Sequence, residues 1–272
     1  MSILTHNVIV FGETGAGKSS IINMLDGDQD AEVGSGASGV TFSNKCYQKS
    51  IQGMSFQVFD TVGLNEGPAG RVPASDAVAA LYQLISKLDS GVNLLVYVMR
   101  APRITSTAQK NYEMFFEVFC QKQVPIVIVV TGLENEEDMD GWWTENKAHF
   151  DRYKMFFQGN ACITAIKGKY VNKIRACMFE AEYEESKEKV EKLIIDNCGE
   201  PWKKSKSSWL ITAATGVFDL FGVILGWKPT QVTGSLLHAL TNYCGMTAKE
   251  ARKIVRDILV ERGIKAIGAL FS

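Results

Sequence analysis

The chain has almost no excess charge of either sign. Its 272 residues hold 29 Lys and Arg against 30 Asp and Glu, a net charge of -1, whereas a protein that tracks a phosphodiester backbone is expected to be clearly basic. Nucleic acid is therefore not an expected partner. Paired cysteines are also missing. The six, Cys46, Cys120, Cys162, Cys177, Cys198 and Cys244, show no CxxC spacing, which argues against structural zinc and against a disulfide framework. The opening residues Met1-Ser2-Ile3-Leu4-Thr5-His6 lack the charged and long apolar regions of a secretory leader, so a cytoplasmic location is the expectation. What is there is a mixed chain, 46% hydrophobic and 22% charged, long enough for one large domain with an appendage.

Apolar, β-rich runs at residues 6–12, 56–60, 94–99, 125–131 and 161–166 alternate with helical stretches at 19–25, 76–88, 105–121, 139–150 and 171–197. That alternation predicts an α/β fold with a mostly parallel central sheet and helices on both faces. The run Val124-Pro125-Ile126-Val127-Ile128-Val129-Val130 is apolar on both faces, as a covered central strand is. Residues 45–51 alternate weakly and are expected to pair with 55–60 through Gln52-Gly53 as an antiparallel hairpin. Cys198-Gly199-Glu200-Pro201 reads as a helix stop, which divides the chain into a domain over 1–200 and a helical extension over 201–272.

In the extension, residues 209–227 are apolar apart from Thr212, Thr215 and Asp219, with Trp209 and Trp227 at the ends and Lys203, Lys204 and Lys206 ahead. Those are features of a membrane segment. Against them, an Asp near the middle costs about 2.5–3.5 kcal/mol on insertion, and glycines at 216, 222 and 226 weaken an isolated helix. A buried or self-associating helix is the favoured reading and membrane association the alternative. Further on, Thr247 and Glu250 form a capping-box pattern, and Ala251, Ile254, Val255, Ile258 and Leu259 fall on one helical face. That amphipathic helix needs a partner surface, in the first instance on the same chain.

The chemistry is written in Gly12-Glu13-Thr14-Gly15-Ala16-Gly17-Lys18-Ser19, directly behind the apolar run Val8-Ile9-Val10-Phe11. The spacing GxxxxGKS between a strand and a helix is a phosphate-binding loop: glycines let backbone N–H groups close on phosphate oxygens, and the helix presents its positive end. Residues Glu13 through Ser20 are then the nucleotide cradle, with Lys18 reaching the β/γ-phosphates and the Ser19 hydroxyl ligating Mg²⁺. Asp60-Thr61-Val62-Gly63 closes a following apolar strand. It supplies a carboxylate near Mg²⁺ and, from Gly63, a backbone N–H near the γ-phosphate. Between the two lies a Gly- and Ser-rich segment, residues 33–42, that reads as a switch loop; Thr41 is its candidate magnesium and γ-phosphate ligand, with Ser35 and Ser38 competing.

The order of phosphate loop, Thr41, Asp60–Gly63 and Thr131-Gly132-Leu133-Glu134 resembles the GTPase (G) domain of the septin-like group. Within it the sequence is most similar to the immunity-associated (IAN/GIMAP, or avrRpt2-induced-gene type) GTPases. There the loop reads GxTGxGKSS, as residues 12–20 do here; Val40-Thr41 matches the switch dipeptide, and Asp60-Thr61-Val62-Gly63 stands where DTPG does. The resemblance covers about residues 6–195. It implies GTP/GDP and Mg²⁺ as ligands, with Thr131 and Glu134 at the base-reading positions and backbone groups of Thr164 and Ala165 near the base oxygen.

The departures from that pattern are as informative. Most GTPases read guanine with (N/T)KxD, in which a Lys stem covers the base and an Asp accepts from it. Here Gly132 replaces the Lys and Glu134 the Asp, so the paired acceptor is kept and the stacking stem is missing. Trp142 or Trp143 is a candidate replacement, with core packing the favoured role for both. Many GTPases also orient water with a Gln after DxxG, and this chain has Leu64. Intrinsic hydrolysis is therefore expected to be slow. An arginine supplied in cis or by a second subunit raises such rates by about 10³–10⁵ where it occurs, and Arg71 and Arg103 are the candidates; Glu66 and Glu13 are alternatives for assisting water. The expected function is a nucleotide-controlled switch or assembly scaffold, with a homodimer across the nucleotide face. The alternatives are a non-hydrolysing nucleotide-dependent interaction module and an ATP-using protein. A small-molecule kinase is disfavoured, since no arginine-rich lid is evident.

Overall fold

The computed structural model describes residues 5–26, 45–61, 84, 87–88, 90–102, 104–173, 175–219, 228–242, 244 and 246–264. Strand β1 (Thr5–Gly12) leads through the phosphate loop into α1 (Lys18–Met24). The hairpin β2 (Lys45–Ile51) and β3 (Met54–Asp60) follows, then β4 (Leu94–Arg100), α2 (Ser106–Tyr112), β5 (Ile126–Thr131), α3 (Met139–Arg152) and β6 (Gly159–Cys162). A short pair, β7 (Tyr170–Val171) and β8 (Ala176–Cys177), precedes α4 (Glu180–Asn197), and α5 (Lys206–Asp219), α6 (Pro229–Asn242) and α7 (Ala248–Glu261) complete the order.

β1 through β6 form a 6-stranded sheet in the order β2-β3-β1-β4-β5-β6. β1 runs parallel to β3 and β4, β4 to β5 and β5 to β6, and β2 is antiparallel to β3. The α/β fold and its mostly parallel sheet are thus as the alternation predicted. The β2–β3 turn uses Gln52 and Gly53 at φ 49° and 80°, the left-handed pair that matches strand twist. Because side chains alternate along a strand, the sheet has a core on each face. Ile9, Phe11, Leu95, Tyr97, Ile128 and Val130 are buried on one side; Val8, Val10, Leu94, Val96, Val127 and Val129 are buried on the other. The sheet's connections diverge at the carboxyl end of β1, between β3 and β4, where ligands of open α/β sheets bind.

Several boundaries differ from the sequence expectation. The strand expected over 161–166 ends at Cys162, since its pairing runs from Val127↔Gly159 to Val130↔Cys162 and β5 itself ends one residue on. The helix expected over 171–197 begins at Glu180, because Tyr170–Val171 pairs with Ala176–Cys177 ahead of it. The 105–121 helix is α-helical only to Tyr112 and continues as a π-helix over Glu113–Phe119. There the Cys120 N–H donates to the Phe115 carbonyl, and the wide turn still buries Phe115 and Phe119. Most of the 76–88 helix lies outside the described residues.

The extension packs on that π-helical stretch. Trp209 is 3% exposed and meets Phe119 edge-on at 4.7 Å between ring centroids; Ala213, Ala214, Val217 and Phe218 of α5 are buried with it. α7 carries the capping box of Thr247 and Glu250 and buries Ala251, Val255, Ile258 and Leu259. Asp219, the misfit in the apolar segment, receives a two-pronged hydrogen bond from the Arg262 guanidinium. Residues 220–227 lie outside the described residues, among which no helix is long and apolar enough to cross a membrane.

Candidate functional site

The phosphate loop leaves the sheet at a position only glycine fits. A Cβ on Gly12, at φ 147°, would stand 2.0 Å from the Val98 carbonyl oxygen of β4. Gly17, at φ 99°, turns the chain into α1, and a Cβ there would meet the Thr131 side chain at 3.2 Å. The Lys18 ammonium is folded back over the loop and donates to the carbonyls of Gly12 and Glu13, both at 2.9 Å. At the end of β3, Asp60 accepts from the Ser19 hydroxyl at 3.4 Å through Oδ2. Its other oxygen, Oδ1, is buried without a hydrogen-bond partner among the described residues. Burial pushes the Asp60 carboxyl above the ordinary carboxylate range, against the pull of Lys18, the Ser19 hydroxyl and Lys45. A desolvated carboxylate with an unpartnered oxygen, beside a serine hydroxyl, has the donor chemistry of a hard oxygen-ligated cation such as Mg²⁺. Thr61 fixes the strand end, since its N–H and hydroxyl both reach the Val10 carbonyl at 3.1 Å.

The base-reading residues sit one strand further across. Thr131 ends β5, and its buried hydroxyl donates to the Ala16 carbonyl at 2.6 Å, which ties that strand to the phosphate loop. Gly132 follows at φ 82°, and the Arg100 side chain from the end of β4 lies against it. The Arg100 Nη2 stands 3.6 Å from Glu134 Oε1, with the Glu134 side chain only 12% exposed. Arg100 carried no assignment in the sequence reading, since no spacing rule connects the ends of adjacent strands. Thr164 is buried, and its N–H donates to the Ser186 hydroxyl of α4 at 3.1 Å. That backbone donor is therefore committed to the fold, and Ala165 remains the candidate in that loop. Trp142 and Trp143 pack against Phe150 at 6.4 and 5.1 Å between ring centroids and are half-buried at the edge of the core.

Beside the loop, Glu13, Thr14, Gly15, Ala16, Arg100 and Thr105 line a cleft of about 280 Å³. Thr105 caps α2 by accepting from the Ala108 N–H, and its hydroxyl donates to the Glu13 carboxylate. Of the remaining sequence candidates, Thr41, Gly63, Arg71 and Arg103 lie outside the described residues, as do Ser35, Ser38, Leu64 and Glu66.

A parallel sheet with a glycine loop at the carboxyl end of its central strand, a lysine over that loop and an acid at the neighbouring strand end defines a phosphate-loop nucleoside-triphosphatase domain. The AIG1 family model matches residues 6–197, and the chain belongs to the AIG1 family. Over 143 residues it is 29% identical to immune-associated nucleotide-binding protein 10 of Arabidopsis thaliana; the match covers 52% of this chain and 30% of that protein. Among solved structures, a point variant of Aquifex aeolicus Era bound to GDP and AlF4⁻ superposes with a TM-score of 0.50 at 13% identity, covering 95% of this chain and 90% of that one. Era in complex with MgGDPNP and part of 16S ribosomal RNA gives 0.50 at 14% identity, covering 78% and 66%. Identities that low show the fold alone, and the fold is that of a P-loop GTPase domain.

Proposed function

We propose that the chain is a guanine-nucleotide-binding protein that hydrolyses GTP slowly with Mg²⁺ and acts as a nucleotide-controlled switch or assembly scaffold. The observation that carries this is the convergence of Lys18, Ser19 and the half-satisfied Asp60 at one end of the sheet. Backbone groups of residues 13–20 cradle the phosphates. Lys18, which donates to the Gly12 and Glu13 carbonyls, would supply positive charge to the phosphates, and Ser19 and Asp60 would hold the cation. Bound Mg²⁺ supplies neutralisation of the phosphate charge. Thr41 and Gly63 are assigned to the γ-phosphate side, Arg71 and Arg103 to charge stabilisation in cis or across a homodimer, and Glu134 with Ala165 to the base. GDP and MgGDPNP in the Era structures support guanine nucleotides as the ligand class, and membership of the AIG1 family supports the same reading.

The G domain is assigned to 1–200 and the helical extension to 201–272, in a cytoplasmic protein whose extension packs on its own chain. The test is affinity for GTP and ATP with and without Mg²⁺, followed by phosphate release against protein concentration. Preference for GTP and turnover that rises with concentration are expected. ATP preference overturns the guanine assignment, and turnover independent of concentration overturns catalysis by dimerisation. Leu64 after DxxG favours one second reading, a non-hydrolysing interaction module, which predicts bound GTP that persists and no phosphate release at any concentration.

A further inference from the structure

The base-reading loop lacks the lysine whose stem covers the nucleobase in most GTPases, and a side chain from a different strand lies against the glycine in its place. Arg100 pairs with Thr131 across β4 and β5, so its side chain leaves the sheet beside Gly132. A Cβ on Gly132 would stand 3.0 Å from Arg100 Cγ and 3.2 Å from its Nε; the arginine lies where a side chain at 132 would begin. The φ of 82° favours glycine here, and a side chain at 132 would crowd the arginine. Beyond Gly132 the guanidinium reaches Glu134, the acceptor assigned to the base, while 57% of the Arg100 side chain stays exposed. Arg100 also lines the cleft beside Gly15 and Ala16, so it spans from the phosphate loop to the base-reading acid.

We infer that Arg100 is the nucleobase cover of this protein: a planar cation, seated on Gly132 and steered by Glu134, that stacks on the base in place of the missing lysine. Guanidinium groups stack on aromatic faces more readily than ammonium groups do, through their flat, weakly hydrated surface. An ion pair with one exposed partner at 3.6 Å contributes little by itself, so packing on Gly132 holds the arginine and the ion pair sets its direction. Stacking is tolerant of base identity, whereas hydrogen bonding is selective. Arg100 therefore sets how tightly a base is held and Glu134 sets which base. The inference rests on the guanine reading of Glu134, and the two separate in one experiment.

The full chain carrying Arg100→Ala, Arg100→Lys or Glu134→Gln is titrated with GDP, ADP, xanthosine diphosphate and base-free inorganic triphosphate, all with Mg²⁺. Arg100→Ala is expected to weaken all the nucleotides by about tenfold while triphosphate binding is unchanged, as loss of a cation–π contact predicts. Arg100→Lys is expected to restore part of the loss. Unchanged nucleotide affinity overturns the inference, and so does a parallel loss for triphosphate, which would make Arg100 a phosphate ligand. Glu134→Gln is expected to shift preference from GDP to xanthosine diphosphate. If it leaves the preference among bases unaltered, the guanine reading fails while the Arg100→Ala result still decides the cover.

Discussion

The Thr131 hydroxyl donates to the Ala16 carbonyl at 2.6 Å, and through that bond the end of β5 holds the phosphate loop in register. Ala16 and Thr131 are 115 residues apart in sequence, so the loop's shape depends on the strand that also leads to Glu134. Thr131→Val keeps the volume and removes the donor, leaving a buried carbonyl unsatisfied at a cost of about 1–3 kcal/mol. Nucleotide affinity measured by calorimetry is expected to fall about tenfold, with Thr131→Ser restoring it. Unchanged affinity in the valine variant would show that the loop holds its shape without this tie.

Lys18 holds two loop carbonyls at 2.9 Å and is the cation assigned to the phosphates. Lys18→Ala is expected to abolish measurable nucleotide binding in a chain that still unfolds cooperatively. Retained binding would remove the phosphate loop from the site.

Burial holds the Asp60 carboxyl above its ordinary range, with Lys18, Ser19 and Lys45 pulling it down. A raised folded-state pKa gives stability that is fully present below the unfolded-state pKa and is lost as pH rises through the folded-state one. Above that range the ionised, desolvated carboxylate therefore costs stability until Mg²⁺ meets it. Asp60→Asn is expected to unfold later in urea than the parent chain at pH 7, with the difference vanishing in acid, and to lose the magnesium dependence of nucleotide binding. In the parent chain that dependence strengthens as pH rises through the Asp60 range. A variant less stable than the parent at pH 7 would contradict this account.

Trp209 joins the extension to the domain, edge-on to Phe119 and tilted against Trp202 at 5.3 Å. Trp209→Ala is expected to cost about 3–5 kcal/mol in urea unfolding, against under about 1 kcal/mol for an exposed position such as Val260→Ala. The folded full chain is expected to stay in the supernatant when spun with phosphatidylcholine vesicles. Pelleting would mean that α5 leaves its seat on Phe119.

Much of this was legible because it is local. The phosphate loop, the Gln52-Gly53 hairpin and the Thr247–Glu250 box are each fixed by neighbours a few residues apart. The strands of the central sheet announced themselves as runs too apolar for any exposed face. What the chain concealed is non-local or a matter of competition. The π-helical register after Tyr112 looks in sequence like ordinary helix, and the pairing of Tyr170–Val171 with Ala176–Cys177 precedes a helix whose propensity masks its start. Thr164 looked like a base contact until Ser186, 22 residues on, took its N–H. Gly132 read as a missing stacking stem, and only the adjacency of β4 and β5 reveals that Arg100 lies against it. Asp219 looked like a flaw in an apolar segment because Arg262, 43 residues away, is invisible to any local window.

The apolar cluster that begins at Ile9 and Phe11, under the phosphate loop, runs through Phe115, Phe119 and Trp209 to Leu236 and Ala251 without interruption. The boundary near residue 200 is therefore a line in the sequence that the interior does not respect. A modular protein can lose or exchange its tail; here the tail's aromatic anchor is part of the same apolar cluster as Phe11 of β1. Truncated forms that lose Trp209 would expose Phe119 to water.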